Sequence, residues 1–228
     1  MNPMVSVIVV TYNRENLIKD AIDSIKRQTF RDYEIIVVDD GSTDNTKEIV
    51  EQYAEVRYIY QEHSGISKAR NTAVKAARGK WIATLDSDDL WKEEKLQKQV
   101  DYVRVHPGCR IVYTAFSNFT DIPEDELDER QKELLQVINK WYLPSALIDA
   151  TLFDEIGLYD EAKSGLEDID WGFRLKFSGV NIEHCVDETL YLRRVHYSNI
   201  SNSRNYLYST DVRNLAIDAY RKVKRFRK

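Results

Sequence analysis

Val5-Ser-Val-Ile-Val-Val10 is the stretch on which the fold turns. It is β-branched and almost continuously apolar. That suits a strand covered on both faces, since a strand with one wet face would alternate polar and apolar side chains. Tyr33-Glu-Ile-Ile-Val-Val38 repeats the pattern. Between the two, Glu15 to Gln28 sets Leu17, Ile18, Ala21, Ile22 and Ile25 at helical spacing, with Asn13 as the expected N-cap. A strand, a helix and a second strand of this kind make a parallel β-α-β unit.

Working outward, the same alternation continues. Asp44 to Tyr53 reads as a helix, Val56 to Tyr60 as a strand, Ser67 to Arg78 as a helix closed by Gly79, and Trp81 to Leu85 as a strand. The pattern predicts an open α/β sheet, Rossmann-like and mostly parallel, flanked by helices. Beyond Trp91 the regularity weakens. Glu93 to His106 reads as a helix, Ile111 to Phe116 as a strand and 166–178 as a helix. Short strands follow at Ile182 to Val186 and Thr189 to Val195. Residues 121–139 are rich in Asp and Glu and read as a solvated face. No repeat or Pro-rich linker divides the chain, so 1–203 is expected to be one domain with halves at 1–90 and 91–203, and 204–228 a basic helix or tail.

With 228 residues, 43% hydrophobic and 31% charged, the composition is that of a soluble protein able to bury a core. No apolar run approaches the roughly 20 residues that span a bilayer. Cys109 and Cys185 lie far apart, which argues against a disulfide framework or a zinc site, and a cytoplasmic location is expected. From Arg204 to Lys228 eight Lys/Arg face two Asp, so a net charge of -5 leaves an acidic body. Such a body excludes sequence-independent nucleic-acid binding. Arg221-Lys-Val-Lys-Arg-Phe-Arg-Lys228 reads either as a solvated helix end or as a peripheral contact with the inner face of a membrane.

In open parallel sheets, ligands bind beyond the carboxyl ends of the strands. Three such ends are polar here: Thr11-Tyr12-Asn13, Asp39-Asp40-Gly41-Ser42 and Asp86-Ser87-Asp88-Asp89. Neither Gly-x-x-x-x-Gly-Lys-Ser/Thr nor Gly-x-Gly-x-x-Gly occurs at these ends, so a pyrophosphate needs another source of positive charge. A carboxylate cluster supplies one by holding a divalent cation, Mn²⁺ or Mg²⁺, which keeps sites for phosphate oxygens. A helix cap would use one such residue rather than three.

Ser6-Val-Ile-Val-Val-Thr-Tyr-Asn13, Val37-Val-Asp-Asp-Gly-Ser-Thr-Asp-Asn-Thr46, Gly65-Ile-Ser-Lys-Ala-Arg-Asn71 and Leu85-Asp-Ser-Asp-Asp89 resemble the successive blocks of family 2 glycosyltransferases with the GT-A fold. Gly165-Leu-Glu-Asp-Ile-Asp-Trp171 resembles that family's acceptor-side Glu-Asp motif. The resemblance implies a nucleotide-diphospho-sugar donor held by the first half. Thr11, Tyr12 and Asn13 would meet the nucleoside, and Asp39 a base N–H, which favours uridine. Lys68 and Arg70 would reach the diphosphate or base, and Asp86 and Ser87 the ribose or sugar. It further implies Asp88 and His196 at the metal, Asp168 as general base and Glu167 on an acceptor hydroxyl of a glycan, glycolipid or glycoprotein. Asp40, Asp170 and Arg174 are expected to be structural, and Ile169, Phe173 and Phe177 to pack inward. The Gln-x-x-Arg-Trp motif of processive members is missing, so a single transfer is expected; the resemblance implies that it proceeds by direct displacement with inversion. A sugar nucleotidyltransferase would carry a Gly-rich loop where Thr11-Tyr-Asn-Arg-Glu15 has none, and a non-catalytic sugar-binding module would not need Asp168. Donor sugar, acceptor and oligomeric state are left open by the sequence.

Overall fold

In the computed structural model, which describes residues 2–136, 138–139, 142–196 and 209–226, β1 (Val5–Thr11) runs between β2 (Tyr33–Asp39) and β4 (Trp81–Asp86). All three are parallel, and β3 (Val56–Tyr60) extends the sheet beyond β2. On the other side β4 pairs antiparallel with β8 (Leu147–Asp149), β8 antiparallel with β6 (Ile111–Phe119), and β6 parallel with β9 (Glu183–Arg194). Two short strands, β5 (Leu90–Trp91) on β9 and β7 (Ile138–Asn139) on β6, complete it. The spatial order is β3-β2-β1-β4-β8-β6-β9-β5.

The continuous apolar run of β1 has the expected cause. Val5, Val7 and Val9 face α1 (Ile18–Lys26), α2 (Thr46–Val50) and α4 (Lys95–Val105). Ile8 points the other way, with Ile36, Val38 and Ile82, toward α3 (Ile66–Ala76), α6 (Thr151–Ile156) and α7 (Glu167–Ser178). Both faces are dry, so polarity never alternates. α5 (Glu129–Leu135) starts with a capping box in which Asp128 and Gln131 satisfy each other's backbone N–H. Of the basic segment, 209–226 form α8 (Ser209–Phe226), whose Leu215, Ala219 and Val223 are buried.

Local expectations are corrected at several points. Asn13 does not cap α1, which begins only at Ile18; it sits at φ +50°, where its Oδ1 accepts from Thr43 N. Gly79 does not close α3. It permits β1 to pass beside it, because an added Cβ would lie 2.4 Å from Ser6 N. The inner face of α7 is Glu167, Asp170, Trp171, Arg174 and Leu175, whereas Ile169, Phe173 and Phe177 are only half-buried. The two strands expected from 182 to 195 are one, β9, with register shifts against β6. Strands β5, β7 and β8 and helix α6 were not expected. Cys109 and Cys185 are free thiols. Among the described residues no helix is long and apolar enough to cross a membrane.

Candidate active site

The register of β1 places Thr11 beside Asp39 and Val10 beside Asp86, so the three polar strand ends open on one edge of the sheet. Above them lies a cleft of about 540 Å³. Thr11, Tyr12, Asp86, Ser87 and Asp88 line it from the strand ends, Arg70 from α3, and Glu167 and Asp168 from the start of α7. Thr11 Oγ1, buried beneath it, has no hydrogen-bond partner among the described residues. Tyr12 is 41% exposed at the rim, stacked on the His63 ring at 4.2 Å.

The three carboxylates that follow β4 have separate environments. Asp86 accepts from Arg70 Nη2 at 3.0 Å and from Tyr142 Oη at 3.3 Å. Burial raises its pKa; Arg70 opposes this, and the charges of Asp88 and Asp168 add to it. Asp88 Oδ2 lies 3.0 Å from His196 Nε2 and 3.8 Å from Arg14 Nε. Burial pushes its pKa up, but the His196 hydrogen bond and the Arg14 charge prevail and hold it below the usual range. Asp89 is buried and accepts from Tyr191 Oη at 2.7 Å and Arg194 N at 2.8 Å. Burial, then the charges of Asp88 and Asp86, raise its pKa far above normal. Asp89 therefore pins the turn to β9.

Arg70 joins the two sides of the cleft. The residue is 2% exposed, and its guanidinium donates from Nη1 to Glu167 Oε1 at 2.6 Å and to Asp168 Oδ1, and from Nη2 to Asp86. Burial alone would favour the neutral form, yet Asp168, Asp86 and Glu167 raise its pKa well above the ordinary value. Glu167 also accepts from Gly165 N at 2.6 Å, which shapes the turn leading into α7. Its pKa is raised by burial first, with Arg70 opposing and Asp168 adding.

Three expected donor-site residues do not line the cleft. Asn13 holds the loop after β2. Asp39 is fully buried, with Oδ1 accepting from Ser42 N and Oδ2 from Tyr58 Oη; Asp40 lines the wall in its place, accepting from Ser64 N and Gly65 N. Lys68 is exposed, because two residues along a helix from Arg70 is nearly the opposite face. Sequence reasoning missed Arg14, Tyr142 and Arg193, which also line the cleft. Arg14 directly follows a block of the resemblance and could have been read from it. No periodicity marks Tyr142 or Arg193.

A divalent cation fits the donor set. Leaving out Asp89, whose charge burial disfavours, five carboxyl groups and three guanidinium groups line the cleft, so a diphosphate entering alone meets a surplus of negative charge. Asp88, kept ionised, and His196, through Nε2 in the tautomer that leaves this nitrogen unprotonated, offer an oxygen and a nitrogen ligand. No cluster of three or more acidic, His or Cys ligands is present among the described residues. Such an ion would draw its other ligands from phosphate oxygens and water, as Mg²⁺ commonly does.

The sheet order and the cleft at the strand ends define a GT-A fold. TarS from S. aureus, solved with UDP-GlcNAc, superposes with a TM-score of 0.74 at 22% identity over 99% of this chain and 71% of that one. A mannosyltransferase from Pyrobaculum calidifontis, solved with GDP-Man and Mn²⁺, gives 0.66 at 23% identity over 99% and 65%. The family model described as glycosyl transferase family 2 matches residues 6–159, and the chain belongs to that family. The uncharacterized glycosyltransferase EpsJ of Bacillus subtilis is 35% identical over 217 residues, covering 85% of this chain and 62% of its own length. TuaG of the same organism, a putative teichuronic acid biosynthesis glycosyltransferase, is 40% identical over 120 residues, 50% of this chain and 47% of its own. The chain thus spans less than two thirds of each of these two relatives.

Proposed function

We propose that this chain transfers one sugar, with inversion, from a nucleotide-diphospho-sugar to a hydroxyl of a glycan, glycolipid or glycoprotein. The observation that carries the reading is a single cleft shared by the donor-side carboxylates Asp86 and Asp88 and the acceptor-side carboxylate Asp168. Asp168 removes the acceptor proton, the freed oxygen attacks the anomeric carbon, and the bond from that carbon to the phosphate oxygen breaks. Asp88 and His196 would hold Mn²⁺ or Mg²⁺, whose charge offsets that gained by the departing nucleoside diphosphate. Arg14 lies close enough to Asp88 to share that task. Glu167, fixed by Arg70, faces the acceptor hydroxyls. Tyr12 and the Thr11 hydroxyl, which has no partner among the described residues, meet the nucleoside.

Asp39 has both oxygens engaged, so the uridine preference rests instead on the UDP and UDP-GlcNAc complexes of TarS. GDP-Man is the competing donor. The name of TuaG supports a glycan acceptor. A place on the inner face of a membrane is supported by α8, where Ile217 and Tyr220 are exposed beside Arg221 and Lys224. A thermal-shift panel of UDP- and GDP-sugars with and without Mn²⁺ identifies the donor, since a ligand of the folded state raises its Tm. In Asp168→Asn, donor and Mn²⁺ affinities are expected to persist while turnover falls about 10²- to 10⁴-fold. Turnover near the wild-type rate removes Asp168 as the base.

A further inference from the structure

The basic C-terminal stretch plays no part in the transfer chemistry, yet one of its lysines is turned inward. Helical spacing puts Leu215, Ala219 and Val223 on the face of α8 that is buried, and Asp218 and Lys222 along its edge. Tyr220 meets the Phe177 ring of α7 edge-on at 5.5 Å. Lys222 Nζ donates to Asp160 Oδ2 at 2.6 Å and to Asp170 Oδ1 at 3.2 Å. Lys163 Nζ adds a longer contact to Asp218 at 3.4 Å.

The two carboxylates that share Lys222 bracket the acceptor-side wall. Asp160 precedes the 3-10 turn Glu161–Lys163, where its other oxygen accepts from Ala162 N at 3.0 Å. Asp170 lies in the first turn of α7, fully buried, with its second oxygen on Arg174 Nε at 2.9 Å. Between them Ser164, Gly165, Glu167 and Asp168 line the cleft. Gly165 takes a φ of +86° there, so the wall turns sharply between its anchors.

Asp170 keeps Arg174 when Lys222 is lost, so the buried carboxylate stays compensated. What the lysine adds is a fixed distance between the two ends of the wall. We propose that Lys222 is a positioning residue, through which the C-terminal helix holds the Ser164–Asp168 wall, and with it the Asp168 carboxylate, in register with the donor side. The proposal rests on Asp168 being the base.

The test uses the full chain with Lys222→Met, Lys222→Arg and Asp160→Asn; the last keeps an oxygen to cap the 3-10 turn. Three quantities are read: amide exchange of residues 161–168, Mn²⁺-dependent UDP affinity, and the rate of Mn²⁺-dependent UDP-GlcNAc hydrolysis. In Lys222→Met, wall amides should exchange about tenfold faster while β1 to β4 are unchanged. Turnover should fall about tenfold or more, with UDP affinity within about twofold of wild type, as expected of a misplaced group rather than a lost ligand. Lys222→Arg should restore both. Asp160→Asn should copy the loss, and combining it with Lys222→Met should add little. Unchanged exchange, or loosened exchange with unaltered turnover, overturns the proposal. The exchange readout does not involve the reaction, so failure of Asp168→Asn to lose activity would be seen separately.

Discussion

The two halves of the sheet are built on different principles. From β1 to β4 the strands are buried mainly by apolar contact: Val5, Val7, Ile8, Val9 and Ile36 to Val38 are all fully covered, and buried polar groups such as Thr11 and Asp39 fall at the strand ends. From β5 onward burial is shared with polar groups. Gln99 bridges Val112 O and Ser145 O, Asp170 and Arg174 pair inside α7, Asp89 anchors Arg194 N, and Lys95 is fully buried. An apolar strand needs only to be covered, whereas each buried polar group needs a particular partner. The first half can therefore be read from local pattern. The second is fixed by pairs that are remote in sequence.

Arg70 is the seam, and its removal tests the contrast most severely. Its partner Glu167 is 97 positions away. Arg70→Met would leave Asp86, Glu167 and Asp168 facing one another without their shared cation. A broken buried pair of this sort costs about 3–5 kcal/mol. Urea unfolding should show that loss, with Arg70→Lys recovering part of it, because an ammonium cannot reproduce the guanidinium fork. A loss below about 1 kcal/mol, the level of an exposed pair, would mean that the two halves are not joined here.

The same contrast explains what was legible. The β-α-β alternation, the strand ends and the Asp86 to Asp88 turn all follow from spacing along a few neighbouring residues. α7 was expected as a helix, but its inner face was assigned to Ile169, Phe173 and Phe177 because they are apolar. The face actually buried includes Glu167, Asp170 and Arg174, whose partners no periodicity reveals. Asp39 and Asp40 failed in another way: adjacent residues at a strand end point to opposite sides, and the sequence does not say which side is the cleft.

Lys95 gives the next, smaller test. Its Nζ has Gln99 Oε1 at 2.9 Å and the Trp91 ring at 4.2 Å, and burial lowers its pKa to about 7. Below that pH both folded and unfolded chains hold the proton, and stability does not change with pH through this group, although the buried charge costs the fold most there. Above it, and up to the unfolded value near 10.4, the unfolded chain binds a proton that the folded chain has released, so stability rises with pH by about 1.4 kcal/mol per unit. Between pH 7.5 and 9.5 wild type should gain roughly 2.5 kcal/mol relative to Lys95→Met. Parallel stability curves for the two proteins would place a charged partner beside Lys95.

The smallest expected effect separates two neighbours on α3. Lys68 and Arg70 read alike from sequence, as basic residues early in a helix that begins at the cleft. Helical geometry gives them different fates: Arg70 is enclosed by three carboxylates, while Lys68 faces water. Lys68→Ala should change Mn²⁺-dependent UDP affinity by less than about twofold, at most a few tenths of a kcal/mol. Titration at low ionic strength is the stricter version, because an exposed charge acting at a distance would show itself there and fade with added salt. A tenfold weakening at any salt concentration would mean that Lys68 swings over the rim to meet the diphosphate. In that case the donor site would extend onto a face of α3 that the folded chain leaves in solvent.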